Sequence, residues 1–211
     1  RIIDTPDLAK SAIAAIKAGI KDAGVALPVS VKTRIGTKHI VTESWLSFLL
    51  EQQINALVIH GRTVAELSKV PAHWDEIAKA VEIRNKMNVP TVIIGNGDVK
   101  DANEAMEKHK QYGVDGVMIG RGIFSNMWAF DRSTPPHKGK PPELLDVMER
   151  HVRLFSETWG DRKHYAILKK FYKIYVNGFF GATEWRVRCM DTNSTEEILA
   201  ILQELKAAVK G

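Results

Sequence analysis

Cysteine is almost absent: Cys189 is the only one in 211 residues, which excludes an internal disulfide and a thiol-rich metal site and fits a reducing, cytosolic setting. No apolar run approaches the ~20 residues that a membrane span needs, and nothing resembles a signal peptide, so no membrane partner is expected. A starting methionine is missing too, since the chain opens on Arg1-Ile2-Ile3-Asp4, and a fragment of something longer is expected. Over most of the length there is also no net charge. Between Asp161 and Met190, seven basic residues (Arg162, Lys163, Lys169, Lys170, Lys173, Arg186, Arg188) face two acidic ones (Asp161, Glu184), an excess equal to the whole net charge of +5. A basic stripe so concentrated is the electrostatic footprint of a phosphate-rich partner, although a solvated helix face has the same composition.

With 45% hydrophobic and 26% charged residues, the chain can bury a good core and reads as one globular domain or one and a half. Four short apolar runs, "PVSVKTRI" (28–35), "ALVIH" (56–60), "PTVIIG" (90–95) and "DGVMIG" (115–120), alternate with helical patterns at 6–23, 42–53, 73–87 and 99–112. Helix-to-strand alternation with β-branched, buried strands argues an α/β fold with a parallel sheet and helices outside it. An open doubly wound sheet and a closed eightfold barrel both satisfy that pattern. Polar or glycine residues end every run: Lys32 and Arg34, then His60-Gly61-Arg62, then Gly95-Asn96-Gly97-Asp98, then Gly120-Arg121-Gly122. Chemistry at each successive strand end favours the barrel, whereas an open sheet concentrates its site at one switch point. A barrel needs eight strands, and four are present here, so the expectation is the second half of a (β/α)8 TIM-type barrel.

The strand tips carry the candidate site. Glycines at 95 and 97 would let backbone approach a ligand, and the following helix would offer its first N–H groups to an anion. Arg121 adds a guanidinium able to grip phosphate oxygens in two places. The bland reading makes Asp98 an N-cap and the glycines tight turns. In "VSVKTRI", Val29, Val31 and Thr33 share one face while Lys32 and Arg34 share the other, where Val58 and His60 of the next strand also point. Two cations on the inner face of a sheet need anionic or electron-rich partners, although Arg34 could also reach solvent at the rim.

Past residue 133 the character changes. A Pro/Gly/Lys linker is expected over 134–142, then helices over 143–211. Leu144, Leu145, Met148, Val152 and Phe155 form one stripe. A second helix is expected to turn Leu168, Phe171, Tyr172 and Tyr175 inward, with Lys163, Lys170, Lys173 and Asn177 opposite. Ser194 is a plausible cap for the last helix.

Taken together, "PVSVKTRIG", "LVIHGRT", "HWDEI", "VPTVIIGNGDV", "GVDGVMIGRGIFSNMWAF" and "KKFYKIYVNGFFGATEWR" resemble the tRNA-dihydrouridine synthases, in the family's order and over nearly the whole chain. The resemblance implies an FMN-binding barrel over 1–133 and a helical tRNA-binding domain over 143–211. Together these reduce the C5=C6 bond of uridine in tRNA with NADPH as hydride source. It places Lys32 and His60 beside the flavin ring, where positive charge or a hydrogen-bond donor would stabilise negative charge on the reduced ring. Asn96, Gly97, Asp98, Gly120 and Arg121 would bind the ribityl phosphate. Arg34 and Arg62, with Lys163, Lys170, Lys173 and Arg186, would meet RNA.

The resemblance also marks a departure. The family carries its first four strands and a catalytic cysteine in an N-terminal half without counterpart here, so no catalytic residue is assigned, and Cys189 reads as a buried thiol. Three other readings stay open: a different FMN barrel reductase of a small substrate, a noncatalytic RNA-binding fragment, and a half-barrel completed by a separate N-terminal half, a partner chain or its own dimer.

Overall fold

The computed structural model describes residues 2–133 and 137–210, and the chain divides into two compact units, Arg1–Pro136 and His137–Gly211. Residues 134–136 of the expected linker lie outside the described residues.

In the first unit, α1 (Pro6–Asp22), α2 (Thr42–Glu51), α3 (Trp74–Met87) and α4 (Ala102–Tyr112) alternate with β1 (Ser30–Arg34), β2 (Ala56–His60), β3 (Val92–Asn96) and β4 (Gly116–Met118). The strands are parallel and lie in the order β1-β2-β3-β4. Strand order thus follows chain order without the reversal that defines a doubly wound sheet, consistent with part of a TIM-type barrel.

Register fixes which side chains share a face. Arg34 pairs with His60, His60 with Asn96, and Asn96 with Met118, so these four stand level across the sheet. Lys32, Val58 and Ile94 form the row beneath them. The opposite face carries Leu57, Ile59 and Ile93, all 0% exposed, against Trp45, Leu46 and Leu49 of α2 and Trp74 and Ile77 of α3. Each such aliphatic side chain contributes about 1.5–3 kcal/mol by leaving water. Helices therefore cover one face, and the cations stand on the other.

Local chemistry sets the helix limits. The α4 helix starts three residues later than its pattern predicts. Asp101, not Asp98, is its N-cap, accepting from the Glu104 N–H at 2.9 Å while the Glu104 carboxylate accepts from the Lys100 N–H at 3.0 Å. The second bond reaches the residue before the cap, so the pair is a variant of the capping box, shifted by one position. The β4 strand is shorter than its pattern, because only Gly116–Met118 pair with β3. Trp74 packs its ring on β3 at Gly95, where an added Cβ would lie 2.5 Å from the indole.

In the second unit, α5 (Pro141–Trp159) and α8 (Thr195–Lys210) pack together. Pro141 opens α5, so the helix begins inside the stretch read as linker; proline suits that position because its missing N–H has no partner to lose there. Leu144, Leu145, Met148, Val152 and Phe155 are buried, as are Ile198, Leu202 and Leu205. Ser194 caps α8, accepting from the Glu197 N–H at 3.2 Å.

The continuous helix expected around Leu168–Tyr175 is instead a chain of single turns. Short 3-10 turns at Gly160–Arg162, Tyr165–Ile167 and Lys169–Phe171 lead into α6 (Tyr172–Tyr175). Tertiary hydroxyl bonds hold this path: Tyr165 Oη lies 2.5 Å from Tyr172 Oη and 2.6 Å from Thr192 Oγ1. The Asn177 side chain ends it by donating to the Ile174 carbonyl at 2.6 Å. Leu168, Tyr172 and Tyr175 nevertheless point inward and Lys170 and Lys173 outward, so the two-sided pattern survives the broken helix. In α7 (Ala182–Asp191), Cys189 is fully buried and its thiol is pushed up to about 11 by desolvation, against a small opposing effect of Arg188.

Gly95→Ala is expected to lower unfolding stability by about 1–3 kcal/mol, the usual cost of overpacking. Gly19→Ala, in the last turn of α1 with nothing within 4 Å of the added methyl, should raise it by roughly 0.5 kcal/mol. Urea unfolding followed by circular dichroism checks both signs.

Candidate binding site at the strand ends

The ends of β2 and β3 are bolted together below an open cleft. Arg62, the second residue after β2, turns inward and is 3% exposed. Its Nε donates to the Val70 carbonyl at 2.6 Å, its Nη1 lies 3.3 Å from His60 Nε2, and its Nη2 donates to the Asp98 carboxylate. Arg62 therefore does not stand at the mouth, where RNA contact was expected. Nearby acceptors capture all three edges of the guanidinium.

Asp98 is held from several sides. The Ala72 N–H donates to it at 3.0 Å, and Arg121 Nη2 sits 3.6 Å away. Partial burial alone would raise this carboxyl. The hydrogen bonds from Arg62 and Ala72 and the charges of Arg62 and Arg121 outweigh that effect and hold it below the usual carboxylate range. Its backbone is left-handed, with φ at 53°, a conformation aspartate tolerates better than most side chains. The Asp98 side chain thus organises the loop and, being ionised, cannot itself donate to a phosphate.

Gly95 has a different purpose from the expected one. Gly95 makes room for Trp74, and a Cβ on Gly97, whose φ is +143°, would meet the Ala72 side chain at 2.5 Å. Gly95 thus serves packing on the helix side, whereas Gly97 lines the cleft beside the His60 ring, 3.5 Å from the added Cβ. Gly120 faces open space instead: a Cβ there would have only Asn96 Nδ2 nearby, at 3.9 Å.

Above this base lies a cleft of about 520 Å3 lined by Arg34, His60, Asn96, Asp98, Gly120 and Arg121. Ser68, Lys100 and Ser125 also reach it; none drew notice in the sequence, where a Ser or Lys in a loop carries no directional signal. Lys32 joins from the row beneath, its Nζ 3.4 Å from Asn96 Oδ1, while Asn96 Nδ2 donates to the Met118 carbonyl at 2.8 Å. Arg34 is braced by the Thr63 carbonyl at 2.8 Å. Arg121 is 68% exposed. Every residue expected at the cofactor (Lys32, His60, Asn96, Gly97, Asp98, Gly120, Arg121) lies in this one neighbourhood.

Electrostatics sharpen the picture. Desolvation and the Arg34 charge lower the Lys32 ammonium from its usual value. His60 is pushed down to about 4 by burial, then by Arg34, Lys32 and Arg62, against Asp98. The imidazole is neutral at physiological pH and the positive charge belongs to the lysine and arginines.

The remaining expected RNA-binding residues belong to the second unit. Lys163, Lys170 and Lys173 are exposed, with Lys163 over the Trp159 ring at 5.1 Å and Lys170 over the Phe171 ring at 4.8 Å. Arg186 is engaged internally, donating to the Val176 carbonyl at 3.0 Å and to Thr183 Oγ1 at 2.8 Å.

A family model for dihydrouridine synthases matches residues 1–210. The chain belongs to the dihydrouridine synthase family. It is 42% identical, over 97% of its own length, to a protein of Bacillus subtilis (strain 168) named "Probable tRNA-dihydrouridine synthase 2". It is also 42% identical over 98% to a "Probable tRNA-dihydrouridine synthase" of Staphylococcus aureus (strain Mu50), and 40% identical over 98% to one of Staphylococcus epidermidis. The chain spans 61% of the length of each of these relatives. Among the described residues no helix is long and apolar enough to cross a membrane, and no group of His, Cys, Asp and Glu could hold a metal ion. Dihydrouridine synthase membership thus rests on the chain's full length, both units included.

The depressed His60 value has a thermodynamic consequence. Between the ordinary histidine value of 6.5 and about 4, the unfolded chain binds a proton that the folded chain refuses, so stability rises with pH across that window and is fully present above 6.5. His60→Gln is expected to flatten the dependence there. Urea midpoints at several pH values from 4 to 7.5 would show it, and an equally steep profile in the variant would contradict it.

Proposed function

We propose that the chain is the cofactor-side and RNA-holding part of an enzyme that reduces uridine to dihydrouridine in tRNA, with FMN as cofactor and NADPH as reductant. In this reading residues 1–133 are half of a TIM-type barrel that binds flavin, and the helices that begin with α5 at Pro141 are a tRNA-binding domain. The observation that carries it is the convergence of His60, Asn96 and Arg121 on one cleft at successive parallel strand ends, with Lys32 against Asn96 from the row beneath, in a chain of this family.

The donor set fits the group. FMN presents an anionic phosphate and a ring edge rich in acceptors, and the cleft offers cations and an imidazole with a single carboxylate, which already has partners. Gly120 keeps one wall free of a side chain beside Asn96, where a phosphate could approach backbone. Arg121, exposed and able to bind in two places, would grip that phosphate. Lys32 and His60 would sit by the ring, and Arg34 would stand toward the substrate base. When bound, the flavin supplies the hydride that reduces the C5=C6 bond of uridine.

The remainder of the chemistry comes from elsewhere in the whole enzyme. Cys189 is buried in the other unit with a raised thiol value, so it is no proton donor to uracil. A complementary N-terminal half, in one chain or as a partner, would supply the acid and pair the outer edges of β1 and β4. Uridine must leave its stack to reach the ring, and the exposed lysines of the second unit would hold the tRNA backbone through phosphates while the cleft reads the base. Such an enzyme works in the cytoplasm.

FMN titrated into the purified chain should show saturable fluorescence quenching, lost in Arg121→Glu. A folded chain that does not quench would mean that the flavin site is absent from it. Reversing charge at Lys170 and Lys173 should weaken tRNA binding and make log K less steep in log salt by about one unit per lost phosphate contact. Unchanged binding would remove both lysines from the interface.

A further inference from the structure

We infer that Arg62 is a positioning residue: it fixes His60 as the tautomer protonated on Nδ1, so that the imidazole offers the cleft a neutral hydrogen-bond donor. What that donor is for rests on the proposed flavin site; the tautomer does not.

The geometry leaves little choice. A guanidinium has only N–H donors, and Arg62 Nη1 lies 3.3 Å from His60 Nε2. The Nε2 atom must therefore accept, so it is bare, and a neutral ring with a bare Nε2 carries its proton on Nδ1. Arg62 cannot turn away to release it, because Val70 and Asp98 hold its other two edges and it is 3% exposed. Asp98 in turn is fixed by the Ala72 N–H.

The other nitrogen looks outward. Nδ1 has no hydrogen-bond partner among the described residues, and none of their buried side-chain nitrogens or oxygens is left unpaired, so Nδ1 is reached by solvent, on a ring that lines the cleft. The charged groups around the ring come from three elements: Lys32 and Arg34 on β1, Arg62 after β2 and Asp98 after β3. Three cations against one carboxylate disfavour an imidazolium. A site that needs positive charge takes it from Lys32 and Arg121, whereas His60 gives direction: one N–H aimed at an acceptor, unchanged through the physiological pH range.

The experiment is long-range 1H–15N correlation on the 15N-labelled full chain at pH 7, with the His60 ring assigned by its disappearance in His60→Gln. The expected pattern is an unprotonated Nε2 and a protonated Nδ1. A protonated Nε2 in the wild type overturns the inference. In Arg62→Met, folded by circular dichroism, the ring should shift toward the Nε2–H tautomer while Arg62→Lys, which keeps a donor, retains more of the original one; an unchanged tautomer in folded Arg62→Met overturns the positioning role. Should Arg62→Met fail to fold, Arg62→Gln, which is neutral and whose amide oxygen can accept from an Nε2–H, is read in the same way. FMN affinity is the second readout, expected to fall about tenfold in Arg62→Met, the size of one lost hydrogen bond. The expected tautomer in a wild type that binds no FMN would support the role of Arg62 and refute the flavin reading, so the two fail separately.

Discussion

The ion pair between Arg62 and Asp98 is the constraint on which the strand-end site depends. It ties the loop after β2 to the loop after β3, and it does so in a place where neither charge could stand alone. A guanidinium that is 3% exposed without its carboxylate would cost on the order of 1–3 kcal/mol or more in unsatisfied donors. The carboxylate without it would keep only the Ala72 N–H and the more distant Arg121. Through this pair the positions of His60, Gly97 and Arg121 become one variable instead of three. The loops can therefore present a cleft before any ligand arrives.

Much of this was legible in the sequence because a strand has a period of two. Lys32 and Arg34 alternate with Val31 and Thr33, and a parallel neighbour ending in His60 had to place that ring level with one of them; register puts it level with Arg34. Strand order was legible only as far as helix and strand alternate. The absence of a reversal is a fact about packing partners that no local pattern records.

The misreadings have a common cause. Gly95 looked like an opening for a ligand, but the decisive neighbour is Trp74, which sits on the preceding helix and leaves no trace in the local sequence. Arg62 looked like a residue at the mouth because its acceptors lie at a distance, Val70 further along the same loop and Asp98 in the loop after β3. Asp98 competed with Asp101 for the helix cap, and here a local signal existed: Asp101 has Glu104 three positions on, the spacing of a capping box, whereas Asp98 is followed there by Asp101 itself. In the second unit the two-sided pattern of Leu168, Tyr172 and Tyr175 was right about which way side chains face and wrong about a continuous helix, since the Tyr165, Tyr172 and Thr192 hydroxyls dictate the path.

Cys189 has a practical meaning apart from any chemistry of the family. It is the chain's only cysteine and it is fully buried with a raised thiol value, so the folded protein is silent toward thiol reagents. A cysteine placed at any exposed position becomes a unique handle for a spin label or fluorophore without first removing the native one. The native thiol remains a reporter in reserve, reacting only when the helices around it open.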